Sequence, residues 1–165
     1  MSRAIVDAYF AAFNQRRWSA MTALCADDVI HDRNEAGREV GIEHLRAYLE
    51  LTGLCYEERL EDLAVMVGDA GRFAVEWTAV GRYVADDAGL LPARGQHYRL
   101  AGGTFLVIAD GRITRITTYY NLQAFLREVG VAEHYRVLDN YLIFTSDLRE
   151  VSFRGIATTP MLNLV

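Results

Sequence analysis

The sequence has no lysine: all 17 of its basic residues are arginine. That absence excludes a lysine Schiff base, a pyridoxal-phosphate lysine and a Walker A phosphate loop, each of which needs an amine on a flexible stem. Only two cysteines occur, Cys25 and Cys55, and they form no CxxC pair, so zinc and redox motifs are unsupported and a reduced, cytoplasmic setting is expected. No apolar run approaches the length of a membrane span, and Asp7 and Asn14 break any signal-peptide pattern near the start. Apart from Arg16-Arg17 the arginines are scattered, and the net charge is −5, so there is no basic stripe for nucleic acid. With two prolines and no low-complexity stretch, no linker is visible. What remains is 165 residues, 52% of them hydrophobic, the profile of a folded domain with a real core.

The first third reads as helices. Ile5, Tyr9 and Ala12, flanked by Val6, Phe10 and Phe13, recur at helical spacing over 3–14, and Ser2 is placed to cap them. A short helix is expected over 19–26 and another over 42–52, the latter closed by Gly53. Between them Val29–Asp32 reads as a short strand and 33–39 as a polar turn. The period then changes. Segments 56–67, 72–84, 97–109 and 112–120 are rich in β-branched and aromatic residues, and Gly68–Gly71 and Asp110-Gly111 punctuate them as hairpin turns. Asn121 is placed to cap a helix over 122–129 that Gly130 ends. Helices followed by consecutive hairpins make an α+β domain with helices on one face of a curved antiparallel sheet, and such a cone holds a pocket. In the last 35 residues, 141–145 and 151–156 look like short strands.

Five motifs in order carry a resemblance: AYFAAFNQRRW (8–18), ADDVIHDRNEAGREVG (26–41), LPARGQHYRL (91–100), DGRI (110–113) and TTYYNLQAFLREVG (117–130). Over residues 3–130 the chain resembles the cone-shaped superfamily of nuclear transport factor 2, ketosteroid isomerase and the SnoaL-type polyketide cyclases, and within it the ketosteroid isomerase-related proteins. The resemblance implies three N-terminal helices on a strongly curved, mostly antiparallel sheet, a homodimer, and a small apolar ligand. Residues 131–165 lie outside it as a C-terminal extension.

The resemblance also points to site residues. Asp32 ends the first strand, where ketosteroid isomerase carries its general base, with a one-residue slip in the alignment. A carboxylate partly desolvated in an apolar cone can move a proton alpha to a carbonyl; the other reading of Asp32 is a strand-end group bonded to the 34–37 turn. Neighbours in a strand face opposite ways, so His31 takes the role if the register slips the other way. Tyr9 falls on the isomerase's oxyanion tyrosine, or is simply core. The isomerase's second oxyanion group, a protonated Asp, corresponds here to Gly103, beside Gly102. Tyr98, Tyr119 or Tyr120 can fill that gap, while the glycine pair also fits a bulge. Glu76 sits mid-strand opposite in direction to Trp77 and calls for an ion-pair partner, Arg99 or Arg82. Asn121 stands where the cyclases carry a catalytic Asp; it either bonds a substrate carbonyl or caps the next helix. No two histidines have metal-ligand spacing, so no metal and no cofactor are expected.

The expected function is cofactor-independent acid–base chemistry on an apolar carbonyl compound: isomerisation or cyclisation with Asp32, Tyr9 and His31 as the catalytic group. Tyr98, Tyr119, Tyr120, Asn121, Trp77, Glu76 and Arg99 would contact the ligand. Two other readings stand beside it: a binding or dimer-forming module without turnover, which a cavity filled by a Glu76–Arg99 pair would mark, and an epoxide hydrolase or dehydratase in which His31 and Asp32 share one cavity.

Overall fold

The computed structural model of the chain describes residues 2–33 and 37–130, together with the backbone of strands 135–138 and 141–144. Helix α1 (Ser2–Asn14) buries Val6, Tyr9, Phe10 and Ala12, the stripe set by its spacing. The short α2 (Trp18–Thr22) follows, then a hairpin of β1 (Cys25–Arg33) and β2 (Gly37–Val40), then α3 (Ile42–Cys55). The long strands β3 (Tyr56–Val67), β4 (Arg72–Tyr83), β5 (Gln96–Ala109) and β6 (Arg112–Tyr120) form the rest of the sheet, and α4 (Leu122–Val129) closes the unit. Strands β7 (Tyr135–Leu138) and β8 (Tyr141–Phe144) pair with each other in a separate antiparallel sheet; residues 151–156, expected as a strand, lie outside the described residues.

The main sheet runs β2-β1-β6-β5-β4-β3, antiparallel except for the β1–β6 pair. Its curvature gathers large side chains of one face, Phe73, Trp77, Tyr83, Tyr98, Leu106 and Ile116 among them, into the core with Val6, Phe10, Met21 and Leu45 from the helices. This is the α+β cone expected from the sequence. Asn14 fixes α1 across it: its amide nitrogen donates to Leu60 O at 2.9 Å and its oxygen accepts from Leu60 N at 2.7 Å. Among the described residues no helix is long and apolar enough to cross a membrane.

Several local expectations are corrected. β1 starts at Cys25, inside the expected second helix, because Cys25 aligns with Ile113 and Ile113 N bonds Leu24 O at 2.9 Å; sheet pairing overrides a weak local preference. Residues 37–40 form an edge strand rather than part of a turn, pairing Asp32 with Arg38 and His31 with Glu39. It is four residues long and opens on Gly37 and the exposed Arg38, a short edge strand with little pattern to mark it. Gly53 lies within α3, not at its end, and carries the indole of Trp18 against its bare backbone.

The glycine pair is not a bulge. Gly102 aligns with Trp77 and Gly103 with Glu76 in unbroken register, and the irregularities fall at Cys25/Ile30, Glu61/Ala64 and Val107/Ile108 instead. A Cβ on Gly102 would overlap the Trp77 ring, and one on Gly81 the Tyr98 ring. Each of these glycines is therefore a flat bed for an aromatic side chain of the neighbouring strand.

Candidate active site

The concave face and the helices enclose a cavity of about 350 Å³, lined mostly by apolar and aromatic side chains, the size and character of a small-molecule site. Strand alternation decides which residues reach it. On β1 the inward set is Val29, His31 and Arg33; on β6 it is Ile116, Thr118 and Tyr120. Of the residues singled out in the sequence, Tyr9, His31, Trp77, Tyr98 and Tyr120 line the cavity, while Asp32, Glu76, Arg99, Tyr119 and Asn121 do not.

Asp32 faces the outer side of the sheet. Its carboxylate accepts from Arg38 Nε at 2.7 Å and is paired with Arg115 at 2.6 Å, with Thr117 at 3.4 Å. The hydrogen bond from Arg38, reinforced by Arg115, holds it below the usual carboxylate range. Among the described residues its partners are side chains of β2 and β6; residues 34–36 of the expected turn lie outside the described residues. Glu76 is exposed on the outer face, and neither expected ion pair forms: Arg99 pairs with Glu61 at 3.1 Å and Asp62 at 3.3 Å, and Arg82 with Glu57 at 2.6 Å. Tyr119 is 53% exposed and packs edge-on against Phe105, also on the outer face. Asn121 caps α4, its side chain accepting from Ala124 N at 3.0 Å.

His31 has the opposite surroundings. It is 4% exposed, its ring lies 4.8 Å from that of Tyr48, and its Nδ1 has no hydrogen-bond partner among the described residues. Burial, with the nearby Arg33 guanidinium, lowers its pKa to about 4, so at neutral pH the imidazole is uncharged. Arg33 also lines the cavity, with its guanidinium 4.7 Å from the Tyr48 ring and 3.4 Å from Glu39.

Across the sheet, four strands from β1, Glu58 turns inward from β3. Tyr98 Oη donates to its Oε2 at 2.7 Å. Burial pushes the Glu58 carboxyl upward against the lowering effect of that hydrogen bond, and burial together with Glu58 raises the Tyr98 phenol. A second phenol–carboxylate pair joins Tyr56 to Asp87 at 2.7 Å. On the wall between, Trp77 Nε1 donates to Thr104 Oγ1 at 3.0 Å, which lies 3.4 Å from Thr118 Oγ1. Tyr9 is buried against Phe10, and burial raises its phenol well above the ordinary value.

Glu58 and Arg33 were not among the residues expected at the site. The signal for Glu58 was present: Tyr56, Glu58 and Leu60 share one strand face, which sets a carboxyl between two apolar inward positions. Arg33 was concealed inside a segment that read as a polar turn. Among the described residues, no group of three or more His, Cys, Asp or Glu side chains is placed to hold a metal ion.

A SnoaL-like domain model matches residues 6–116. Three bacterial crystal structures are similar over most of their length. A candidate polyketide cyclase from Pseudomonas putida shares 44% identity, covering 79% of this chain and 98% of its own, with a TM-score of 0.76. One from Xanthomonas campestris shares 41%, covering 78% and 96%, also at 0.76. One from a Silicibacter species shares 40%, covering 79% and 96%, again at 0.76. No curated protein matches the sequence. The match over most of the cone and these three relatives agree with the geometry described above, and the chain belongs to the SnoaL-like domain family within the nuclear transport factor 2-like superfamily.

Proposed function

We propose that the chain is a cofactor-independent enzyme of isomerase or cyclase type that moves a proton on an apolar carbonyl compound held in the cone, with His31 as the proton acceptor. The observation that carries this is a neutral imidazole, buried in an apolar cavity with an unpartnered ring nitrogen. A base whose conjugate acid has a pKa of about 4 is weak, so the carbon acid it serves must be activated, as in a 1,3-dicarbonyl or an enone. Tyr9 and Tyr120 supply phenols for the developing enolate oxygen. The proton taken by His31 returns to the substrate from the same imidazolium, and Glu58, which accepts from Tyr98, places a carboxyl group on the opposite wall. The names of the polyketide cyclase relatives are consistent with this chemistry.

Asp32 has no part in this scheme. Its two arginines and its outward direction make it a tie between β2, β1 and β6. The same alternation removes support from epoxide hydrolysis or dehydration by His31 with Asp32, which needs both in one cavity. Nor is the cavity filled by a Glu76–Arg99 pair, the arrangement a binding module without turnover would favour.

The test is deuterium exchange from D2O into a panel of 1,3-diketones and enones. The wild-type protein should accelerate exchange on at least one member, and His31→Gln should lose about a hundredfold or more of that acceleration. Exchange no faster than in buffer across the panel, or an unaffected His31→Gln, overturns the reading.

A further inference from the structure

The polar lining of the cavity is divided. Glu58 and Asp87 stand on the β3 side and the 84–95 loop. On the β1 side Arg33 is the only arginine among the described lining residues. Arg33 and His31 are two residues apart on one strand, so both project from the same face. Both carry a buried nitrogen with no hydrogen-bond partner among the described residues, Arg33 Nε and His31 Nδ1. His31 is 96% buried, since its exposure is 4%.

A buried guanidinium nitrogen without an acceptor costs free energy unless something supplies one. The protein's own acceptor is poorly engaged. Glu39 touches Arg33 through a single contact of 3.4 Å to a terminal nitrogen, leaving Nε unpaired and the second Glu39 oxygen buried without a partner. Below the guanidinium lies the Tyr48 ring at 4.7 Å, which holds it in plane without occupying its N–H edge. A fork of two parallel N–H donors in an apolar wall matches the two oxygens of a carboxylate.

We propose that Arg33 is an anion-anchoring residue of the cavity, and that the ligand is an apolar, ring-sized molecule bearing one carboxylate, seated with that group on Arg33 beside His31. This deepens the function proposed above by naming the substrate class of the same site. The carboxylate sets the ligand's direction. Its apolar body then runs along Trp77, Leu100 and Tyr98 toward Glu58, and the carbon next to the anchored end lies against His31.

The experiment compares 2-naphthoate with methyl 2-naphthoate, matched in shape and differing in charge, by quenching of intrinsic fluorescence. Wild type should bind the acid at least about tenfold more tightly than the ester, as expected of a charge-assisted pair in an apolar wall. Arg33→Met should bring the two ligands within about twofold of each other while still binding the ester, which shows an intact cavity. Glu39→Gln, which removes the competing carboxylate, should strengthen naphthoate binding several-fold, an effect that a purely structural role for Arg33 would not produce. Equal affinities in wild type, binding of neither probe, or a preference that survives Arg33→Met overturns the proposal. The readout is independent of turnover. A naphthoate preference without exchange activity would leave this inference standing and remove the enzymatic one, and exchange activity without the preference would do the reverse.

Discussion

His31 and Asp32 are joined by one peptide bond and occupy two different worlds. His31 points into the cone, is 4% exposed, and is kept neutral by burial with its pKa lowered to about 4. Asp32 points out of the cone, lies between Arg38 and Arg115, and is kept ionised below its ordinary range. Burial dominates the titration of the inner-face groups, whereas hydrogen bonds from arginine dominate on the outer face. Glu58 and Glu61 repeat the contrast on β3: burial raises the first, while a hydrogen bond from Arg99 lowers the second. The same strand therefore lines the cavity on one side and carries a network of ion pairs on the other.

The largest effect expected from this division is on the pH dependence of stability. Below about pH 6.5 the unfolded chain protonates His31, which the folded chain resists until about pH 4. Stability is thus lost as pH falls through that window, by up to about 3 kcal/mol. Glu58 acts in the opposite sense: with its folded pKa raised, its contribution is complete below 4.5 and is lost as pH rises through the folded value. Denaturant unfolding between pH 4.5 and 6.5 should show a flatter dependence in His31→Gln and a steeper rise with pH in Glu58→Gln. Unchanged slopes in both would contradict the buried placement of these groups.

Packing should divide the two faces almost as strongly. A valine side chain at Gly102 would collide with the Trp77 ring, whereas at Gly103 a Cβ meets only Val75 O at 3.7 Å. Gly102→Val should destabilise by about 2 kcal/mol or more, and Gly103→Val by less than about 0.5 kcal/mol, read from thermal or denaturant midpoints. Equal losses would mean that the faces are not distinguished in this way. Asp32→Asn should cost about 1 kcal/mol by weakening a pair whose arginines are half-exposed, without changing ligand binding in the cavity. Smallest of all, Glu76→Ala should fall within about 0.5 kcal/mol of wild type, because Glu76 is exposed and pairs with neither Arg99 nor Arg82.

Much of this fold was legible in the sequence because its periodicities are strong. The change from helical spacing to runs of β-branched and aromatic residues located β3, β6 and α4 at their observed bounds. The site was legible only by halves, for a physical reason. In a strand, function turns on parity, and a shift of one residue reverses every side chain. Aligning on a known base chose Asp32, whereas the pairing of β1 with β2 and β6 turns that carboxylate outward. Tyr119 and Tyr120 were separated by the same alternation. Glu76 looked like a buried carboxylate because its neighbours are apolar, but those neighbours are buried on the opposite face. Glu58 is the β3 carboxyl that turns inward, between Tyr56 and Leu60 on the same strand face.

The most direct test of the account sets His31→Gln beside Asp32→Asn in one deuterium-exchange assay, on the same 1,3-diketone or enone, with each variant's fold checked by its unfolding midpoint. Asp32→Asn should keep its rate within about twofold of wild type, while His31→Gln should fall by about a hundredfold or more. A collapse of the rate in Asp32→Asn with His31→Gln unaffected would contradict the claim that the inner face of β1 carries the chemistry.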